Sequence, residues 1–449
     1  MPRARFLLAL LVMPLLPAPL DAQRNCNITR TGEANLVNPG TPFEVMYMGG
    51  GVQVRCAGGT TIRSDSAVYM GQSGMYEFIR NVQYADSART LTARHMLYHE
   101  PQRLVTAEND VVLTDTRNGS TLRGPSLSYY LKSETQPEDM LQMHTGRPVA
   151  MLIRPAAADT MMRDTTIVVA DMLDIVGETR FSARGNVDVT RSNLKAYAAS
   201  AEFTEDAGDM TLRGNARIVD EEYTVHGDSI VGASDEEGEL REVRALGNAR
   251  IDAEEMDVQA PVITVFLAES QLDRLVAVGT RNETAPERSV QARALSPELR
   301  LLADSLDIRA PGRQVEQVVA IGHGFAERLT TDTTAAERPE MPRNDWVRGD
   351  TIIARFTDPP PSATDTTQQR VLEHLDVRAG TEKARSFYLI PDENDPNGQP
   401  AVNYVIAQRI QVSFRDGQVV AVEADDADGQ LHGMYLRPLR GGGGTGGGR

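Results

Sequence analysis

The chain has 449 residues and a formal net charge of −17. This acidic balance excludes the basic face that nucleic-acid-binding proteins need, so nucleic acid is not an expected partner. Aromatic residues make up only 5% of the chain and Trp346 is its single tryptophan, so a large aromatic core is not expected either.

The N-terminal segment has the form of a signal peptide. Arg3 and Arg5 provide its positive end, residues 6–16 form an apolar run, and Ala22 suits the last position before cleavage. The apolar run is too short to span a bilayer comfortably, which disfavours the alternative of an uncleaved membrane anchor. We therefore predict that residues 1–22 are a cleavable signal peptide and that the mature chain is exported and soluble.

The two cysteines, Cys26 and Cys56, lie just after this segment. An exported chain meets an oxidising compartment, so an even pair of cysteines predicts a disulfide bond. On the loop-entropy account this bond would stabilise the fold by roughly 3.5 kcal/mol. The alternatives are two free thiols or, with less support, a metal site.

The middle of the chain repeats one pattern. In residues 91–114, two runs rich in branched and aromatic residues flank the polar turn 99–102, which is typical of two strands joined by a tight turn. Later copies contain Gly-Asn pairs beginning at Gly185, Gly214 and Gly247, at intervals of 29 and 33 residues. A recurring unit of this size indicates a stacked β-repeat.

Alternation after each Gly-Asn pair predicts short strands with one apolar face and one polar face. Val187 and Val189 fall on one face, for example, while Asp188 falls on the other. If the repeats stack in register, their apolar faces join into one stripe. The predicted stripe consists of Val82, Val111, Leu113, Val187, Val189, Ile218 and Ile251.

Composition divides the mature chain into a regular part and a looser part. Residues 23–280 carry the regular repeat, 281–298 have the prolines and charges of a linker, and 299–436 carry a second, looser repeat region. We expect the glycine-rich tail, 437–449, to be flexible. The sequence leaves open whether the second region is a separate unit or a continuation of the first. Polar insertions that we expect to be disordered interrupt it at 330–343, 358–369 and 391–400.

No group of residues has the arrangement of a catalytic or metal site. His95 and His99 are the only close pair of histidines, but four residues of a strand span about 13 Å, too far to share an ion. The acidic clusters that begin at Asp220, Asp235 and Asp425 fall at predicted strand ends, where solvated turns explain them. We therefore predict no enzyme activity, no cofactor and no metal site.

Several segments carry a resemblance to a known family. Residues 91–98 (LTARHMLY) followed by 109–113 (NDVVL) resemble the OstA-like (LptA) family of periplasmic lipopolysaccharide-transport proteins. This family also includes the N-terminal domain of the outer-membrane lipopolysaccharide translocon. Residues 64–69 (SDSAVY) and the three Gly-Asn strands fit the same pattern. The resemblance covers residues 50–280 closely and 299–425 more loosely.

The resemblance implies a fold, a ligand and a location. The fold would be an elongated, open, twisted β-jellyroll of stacked antiparallel strand repeats, whose two sheets face each other as a V-shaped groove. The stripe residues would line this groove and carry the acyl chains of lipopolysaccharide, or of a similar lipid, toward the outer membrane. The protein would act in the periplasm, free or associated with the outer membrane. Its edge strands would pair with other β-jellyroll transport components or with its own copies.

Two other classes of function compete with this one. An exported structural or adhesive β-repeat protein would use the same stripe as a filled core and bind no ligand. An exported carbohydrate-active β-solenoid enzyme would instead gather charged residues on one face of neighbouring repeats. The equivalent residues of this chain are small or aliphatic, which disfavours the enzyme.

Overall fold

The computed structural model describes most of the chain beyond residue 25. The predicted signal peptide, the tail 437–449 and most of the predicted insertions lie outside the described residues. The described residues are 26–153, 165–177, 180–191, 194–204, 209–221, 223–235, 240–253, 256–268, 271–297, 299–329, 342, 344–358, 370–390, 401–415, 418–426 and 432–436.

The regular secondary structure of these residues is β-strand, apart from single 3-10 turns at Ala57–Gly59, Pro286–Arg288 and Pro311–Arg313. The predicted all-β class is thus confirmed. No helix in the described part of the chain has the length and hydrophobicity needed to cross a membrane.

The strands of the first half are β1 (Cys26–Arg30), β2 (Glu33–Val37), β3 (Val45–Gly49), β4 (Val52–Cys56), β5 (Thr61–Ser64), β6 (Ser66–Met70), β7 (Met75–Ala85), β8 (Arg89–His99), β9 (Leu104–Asp115), β10 (Thr121–Tyr130), β11 (Met140–Met143), β12 (Val149–Ile153), β13 (Thr165–Val169), β14 (Met172–Val176), β15 (Arg180–Arg191) and β16 (Leu194–Thr204). Those of the second half are β17 (Asp209–Val219), β18 (Tyr223–Ser234), β19 (Leu240–Ala253), β20 (Asp257–Ala268), β21 (Gln271–Val278), β22 (Ala292–Leu295), β23 (Leu299–Ala303), β24 (Ser305–Arg309), β25 (Gln317–Arg328), β26 (Trp346–Thr357), β27 (Val371–Arg378), β28 (Ala384–Ile390), β29 (Ala401–Ala407), β30 (Arg409–Arg415), β31 (Gln418–Asp425) and β32 (His432–Leu436).

Twelve of these strands are long and bend once near the middle: β7 to β10, β15 to β20, β25 and β26. They contain 10–14 residues, and the pairing register of each shifts at the bend. The expectation that Gly-Asn pairs precede short strands is therefore wrong, because hydrogen bonding resumes on both sides of the pair. In alternate long strands the bend, here called the corner, is a pair of residues with positive φ: 80–81, 109–110, 185–186, 214–215, 247–248 and 322–323.

A carboxylate from a neighbouring connection holds several of these corners. Asn186 donates a hydrogen bond from Nδ2 to Asp171 Oδ2 at 2.8 Å, and Asn81 does the same to Asp65 at 2.9 Å. Gly185 has φ of 76°, and a Cβ added there would lie 2.5 Å from Asp171 Oδ2. Glycine is thus required by both the backbone conformation and the close approach of Asp171.

The corners divide the array into two layers that share the long strands. Layer A consists of one half of every long strand plus β1, β4, β5, β12, β13, β22, β23, β28, β29 and β32. Layer B consists of the other halves plus β2, β3, β6, β11, β14, β21, β24, β27, β30 and β31. All pairings are antiparallel and follow chain order, so each layer is a ribbon that grows from the N-terminal end to the C-terminal end.

The pairing does not stop at the segment predicted to be a linker. Within residues 281–298, strand β22 pairs with β20 on one side and β23 on the other, and Thr280 and Val290 form an isolated bridge. The region 299–436 therefore extends the same two ribbons.

One hydrophobic cluster of buried side chains runs between the layers from Cys26 to Val412. At its N-terminal end Cys26 and Cys56 form a disulfide bond, as predicted, with Cα atoms 3.9 Å apart. The bond joins directly paired residues of β1 and β4, so it ties the edge strand of layer A to its neighbour.

Candidate functional site

The seven predicted stripe residues all lie in layer A with their side chains buried, at most 3% exposed. They occupy two neighbouring rows that run across the strands. Val82, Val111 and Val187 lie in the row next to the corners. The row farther from the corners contains Leu113, Val189, Ile218 and Ile251.

This farther row is continuous through nearly the whole of layer A. Each member is the direct cross-strand partner of the next, so the side chains form one continuous line, which is apolar apart from the hydroxyl groups of Tyr84 and Ser386. In order they are Val54, Ile62, Tyr84, Leu91, Leu113, Leu122, Ala150, Val168, Val189, Ala196, Ile218, Val225, Ile251, Val258, Ala294, Leu301, Ala326, Val347, Ser386 and Val405.

The row next to the corners is different in size. From β16 onward it is built from small residues, because Ala198, Ala216, Gly227, Ala249 and Ala260 occupy it. Small side chains are needed where two backbone layers converge, whereas larger ones fit where the layers are farther apart. The gradient of side-chain size therefore places the narrowest part of the interior along the corners.

The ends of the half-strands that lie farthest from the corners are here called the rim. At the N-terminal end of the array, a group of polar side chains joins the two layers at this rim. Arg89 of layer A donates from Nη1 to Tyr129 Oη at 2.9 Å and to Asp139 Oδ2 at 3.1 Å, both in layer B. Tyr129 Oη also donates to Asp86 at 3.2 Å, and Tyr84 Oη donates to Asp86 at 2.9 Å. We call these five residues the rim cluster.

In the rim cluster Arg89 and the two tyrosines are buried, whereas Asp86 and Asp139 are partly exposed. Arg89 is 5% exposed, and the rings of Tyr84 and Tyr129 meet edge to face at 6.1 Å. Burial, reinforced by the charge of Asp86, raises the pKa of Tyr84, and burial also raises the pKa of Tyr129. Both phenols therefore remain protonated hydrogen-bond donors at physiological pH. The cluster closes the interior at this end, since it connects the layers with charged hydrogen bonds.

The four terminal strands leave open edges at the two ends of the array. Within the described residues β1 and β2 each pair on one side only, and so do β31 and β32. Large apolar side chains are exposed beside these edges: Leu36 and Tyr47 at the N-terminal end, Met434 and Tyr435 at the C-terminal end. An unpaired edge with exposed apolar side chains is able to accept a further strand.

The candidate metal and acidic residues have ordinary structural surroundings. His95 lies on β8, as expected, with Nε2 2.9 Å from Glu77 Oε1, and Asp220 begins the turn between β17 and β18. The clusters that begin at Asp235 and Asp425 continue beyond the described residues. In the described part of the chain no three His, Cys, Asp or Glu side chains are placed to hold a metal ion.

These observations define an all-β array with a continuous apolar interior between two layers. A scan against protein-family models found no match to the chain, and neither did a search of curated proteins. A proposal for its function therefore rests on the physical features of the array.

The rim cluster is not among the residues predicted from the sequence, although the alternation along β8 contains a signal for it. Along β8 the alternation puts Arg89 on the same inward-facing side as Leu91 and Ala93, so a charged residue falls on an apolar face. A buried arginine requires an acidic partner, but the partner Asp139 lies 50 residues away on the other layer. Only the pairing register of both layers shows that the two meet.

Proposed function

We propose that this protein is a periplasmic lipid-binding bridge that carries lipopolysaccharide, or a similar lipid, toward the outer membrane between layers A and B. In this proposal the layers are the two walls of an open, twisted β-jellyroll that diverge from the corners as a V. The observation that carries the proposal is the part of the row from Leu91 to Val347, because a conduit needs an apolar lining along most of its length.

The length of the row favours transport over storage. Among the described residues, 22 strands or half-strands contribute to layer A, from β1 to β32. At a strand spacing of about 4.8 Å, the interior is roughly 100 Å long. An acyl chain gains about 0.8 kcal/mol for each buried methylene wherever it lies in such an interior. The lining is uniform between Leu91 and Val347, so an acyl chain can move along this part of the row without a deep trap.

The charge of the protein is compatible with an anionic lipid. The net charge of −17 repels an anionic head group, but the head group would remain outside the rim. Salt screens this repulsion beyond about 8 Å under physiological conditions. Burial of several acyl chains then outweighs the repulsion.

Entry of a lipid requires the layers to separate. The stripe residues are at most 3% exposed, so the interior is closed to water in this state. The rim cluster opposes separation at the N-terminal end, where the disulfide bond also lies. Separation of the rim would cost less at the C-terminal end, where the ion pair that joins the layers, Lys383 with Asp426, lies at the corner ends of β28 and β31 rather than at the rim.

The partners in this proposal are the lipid and proteins of the same fold. The open edges at β1, β2, β31 and β32 offer backbone hydrogen bonds to another jellyroll component or to a second copy of the chain. Nucleic acid is not proposed as a partner.

A second function is supported by the burial itself. Side chains that are inaccessible to water are also expected in an exported structural or adhesive β-repeat protein, in which the stripe only fills the core. Such a protein would carry no lipid.

Organic extraction of the purified protein separates the two functions. Protein isolated without detergent from a periplasmic fraction is extracted with chloroform and methanol, and the extract is analysed by mass spectrometry. The transport proposal predicts a lipid with several acyl chains in near-stoichiometric amount. The Ile218→Asp variant should lose this lipid, and Arg217→Asp, on the opposite face of β17, should keep it. Folded wild-type protein that yields no lipid would support the structural function instead.

A further inference from the structure

Near the C-terminal end, the inner face of layer A carries two hydroxyl groups. Ser386 and Tyr388 lie on β28, where they are 0% and 5% exposed. Ser386 is the direct cross-strand partner of Val347 and Val405, so its hydroxyl interrupts the apolar row. It is the only serine of that row.

Neither hydroxyl has a hydrogen-bond partner among the described residues. Elsewhere in the same interior, comparable groups are satisfied. Ser64 donates to the carbonyl of Ser66 at 2.8 Å, and Tyr84 donates to Asp86 at 2.9 Å. Buried polar groups in proteins are nearly always hydrogen-bonded, so two hydroxyls without a described partner on one inner face indicate donors that are available to a ligand.

The groups around the two hydroxyls indicate which kind of ligand group they would bind. Burial raises the pKa of the Tyr388 phenol, so Tyr388 remains a donor. The carboxylate of Asp345 is close by, because it accepts a hydrogen bond from the backbone nitrogen of Leu389 at 2.8 Å. This carboxylate disfavours an anionic ligand group, whereas a neutral carbonyl oxygen can accept a hydrogen bond from either hydroxyl without carrying a charge.

The position also offers access from the end of the array. Tyr388 is paired with Asn403 of β29, which is paired in turn with Tyr435 of the edge strand β32. Tyr435 is exposed, and Phe414 and Val419 on the facing end of layer B are only partly buried. The interior is therefore less closed here than at the rim cluster.

We propose that Ser386 and Tyr388 form a hydrogen-bonding site for the ester or amide carbonyl of a lipid acyl chain at the C-terminal end of the interior. This inference rests on the proposed lipid transport and adds a defined position at which a chain pauses. An acyl carbonyl lies next to a long apolar chain, so it matches two hydroxyls set in an apolar row.

Infrared spectroscopy of a bound ester tests this site. The probe is methyl palmitate isotopically labelled at its carbonyl carbon, bound to the full mature protein. In the wild type, hydrogen bonding should shift part of the carbonyl band to lower frequency. The double variant Ser386→Ala, Tyr388→Phe should lose the shifted band and bind the ester roughly threefold to tenfold more weakly. The pair Ser64→Ala, Tyr98→Phe, buried on the same interior, is the matched control and should keep the band.

The outcomes separate this inference from the function on which it rests. If methyl palmitate binds but its carbonyl band is the same in the wild type and in Ser386→Ala, Tyr388→Phe, the hydroxyl site is wrong and lipid binding stands. If folded wild-type protein does not bind methyl palmitate, the lipid-binding proposal fails and the site fails with it. Circular dichroism verifies the fold of each variant.

Discussion

At the N-terminal end of the rim, Tyr84 and Tyr129 place their hydroxyls on Asp86 and complete a network with Arg89 and Asp139. At the C-terminal end, Tyr388 is equally buried, yet its hydroxyl has no partner among the described residues. The two ends have the same backbone architecture, but the buried tyrosine hydroxyls are hydrogen-bonded at the N-terminal end and have no described partner at the C-terminal end. The N-terminal end is built to stay closed, whereas the C-terminal end retains hydrogen-bonding capacity for something else.

At the C-terminal end Lys383 and Asp426 join the layers beside the corners, but a second charged cluster lies within one layer. Asp376 is nearly fully buried on layer B and accepts hydrogen bonds from Arg378 and Arg409, which belong to the same layer. This cluster stabilises layer B without connecting it to layer A. Stability is therefore expected to differ between the ends, with the C-terminal layers free to part first.

The largest expected effect concerns Arg89. The Arg89→Met variant leaves the partly buried carboxylates of Asp86 and Asp139 without their cation and the buried Tyr129 hydroxyl without its donor, and it should lower the free energy of unfolding by about 3–5 kcal/mol. Urea denaturation followed by circular dichroism measures the loss. The fluorescence of Trp346, the only tryptophan, monitors the C-terminal end, and the urea midpoint that it reports should fall less. Arg94→Met, in an exposed pair with Asp110, is the control. An equal fall of the urea midpoint by circular dichroism and by Trp346 fluorescence would contradict the proposed difference in stability between the two ends.

The disulfide bond should have the next largest effect. Replacing Cys26 and Cys56 by serine opens a loop with a sequence separation of 30 residues. The expected cost is about 3.5 kcal/mol, concentrated at the first strands of layer A. Hydrogen exchange should increase in β1, β4 and β5 and remain unchanged beyond β25. Increased exchange at the C-terminal end as well would show that the array unfolds as one unit.

Asp376 should have a smaller effect that depends on pH. Burial alone would raise its pKa, but hydrogen bonds from Arg409 and Arg378 hold the pKa at about 2. Because this value lies below the unfolded one of about 3.9, the stabilisation is complete above pH 4 and is lost as the pH falls toward 2. We expect Asp376→Asn to cost about 1–2 kcal/mol at pH 7, since the half-exposed arginines are screened. The difference from wild type, measured by Trp346 fluorescence in urea, should vanish near pH 2; a constant difference would exclude the ion pairs as its cause.

The smallest effects compare two buried serines. Ser64→Ala removes a hydrogen bond to Ser66 and should destabilise the protein by about 1 kcal/mol. Ser386→Ala removes a hydroxyl without a described partner, so the lipid-free protein should be as stable as the wild type or slightly more stable. Thermal unfolding of delipidated protein measures both. A similar loss for Ser386→Ala would show that its hydroxyl has a partner within the protein.

The sequence predicts the interior better than the rim. Alternation places Val187, Val189 and Ile218 on one face because the side-chain period of a strand is fixed, and all three are buried. The positive φ at Gly185 follows from residue type. These properties are local, so they can be derived without knowing which strands are neighbours.

The remaining features depend on pairing between distant segments. Whether a Gly-Asn pair ends a strand or bends it depends on the strands at both sides, and the bend was not predicted. The contact between Arg89 and Asp139 needs the layers to face each other in one register. The isolation of Ser386 also appears only once Val347 and Val405 are known as its neighbours.

The most direct test of the account is photo-cross-linking of lipopolysaccharide to the interior. A photoreactive phenylalanine derivative is placed at Val111 or Ile218 on the inner face and, as a control, at Arg217 on the opposite face of β17. The account predicts lipopolysaccharide adducts at Val111 and Ile218 and none at Arg217, with all variants folded by circular dichroism. Folded variants that form no lipid adduct at either stripe position would contradict it.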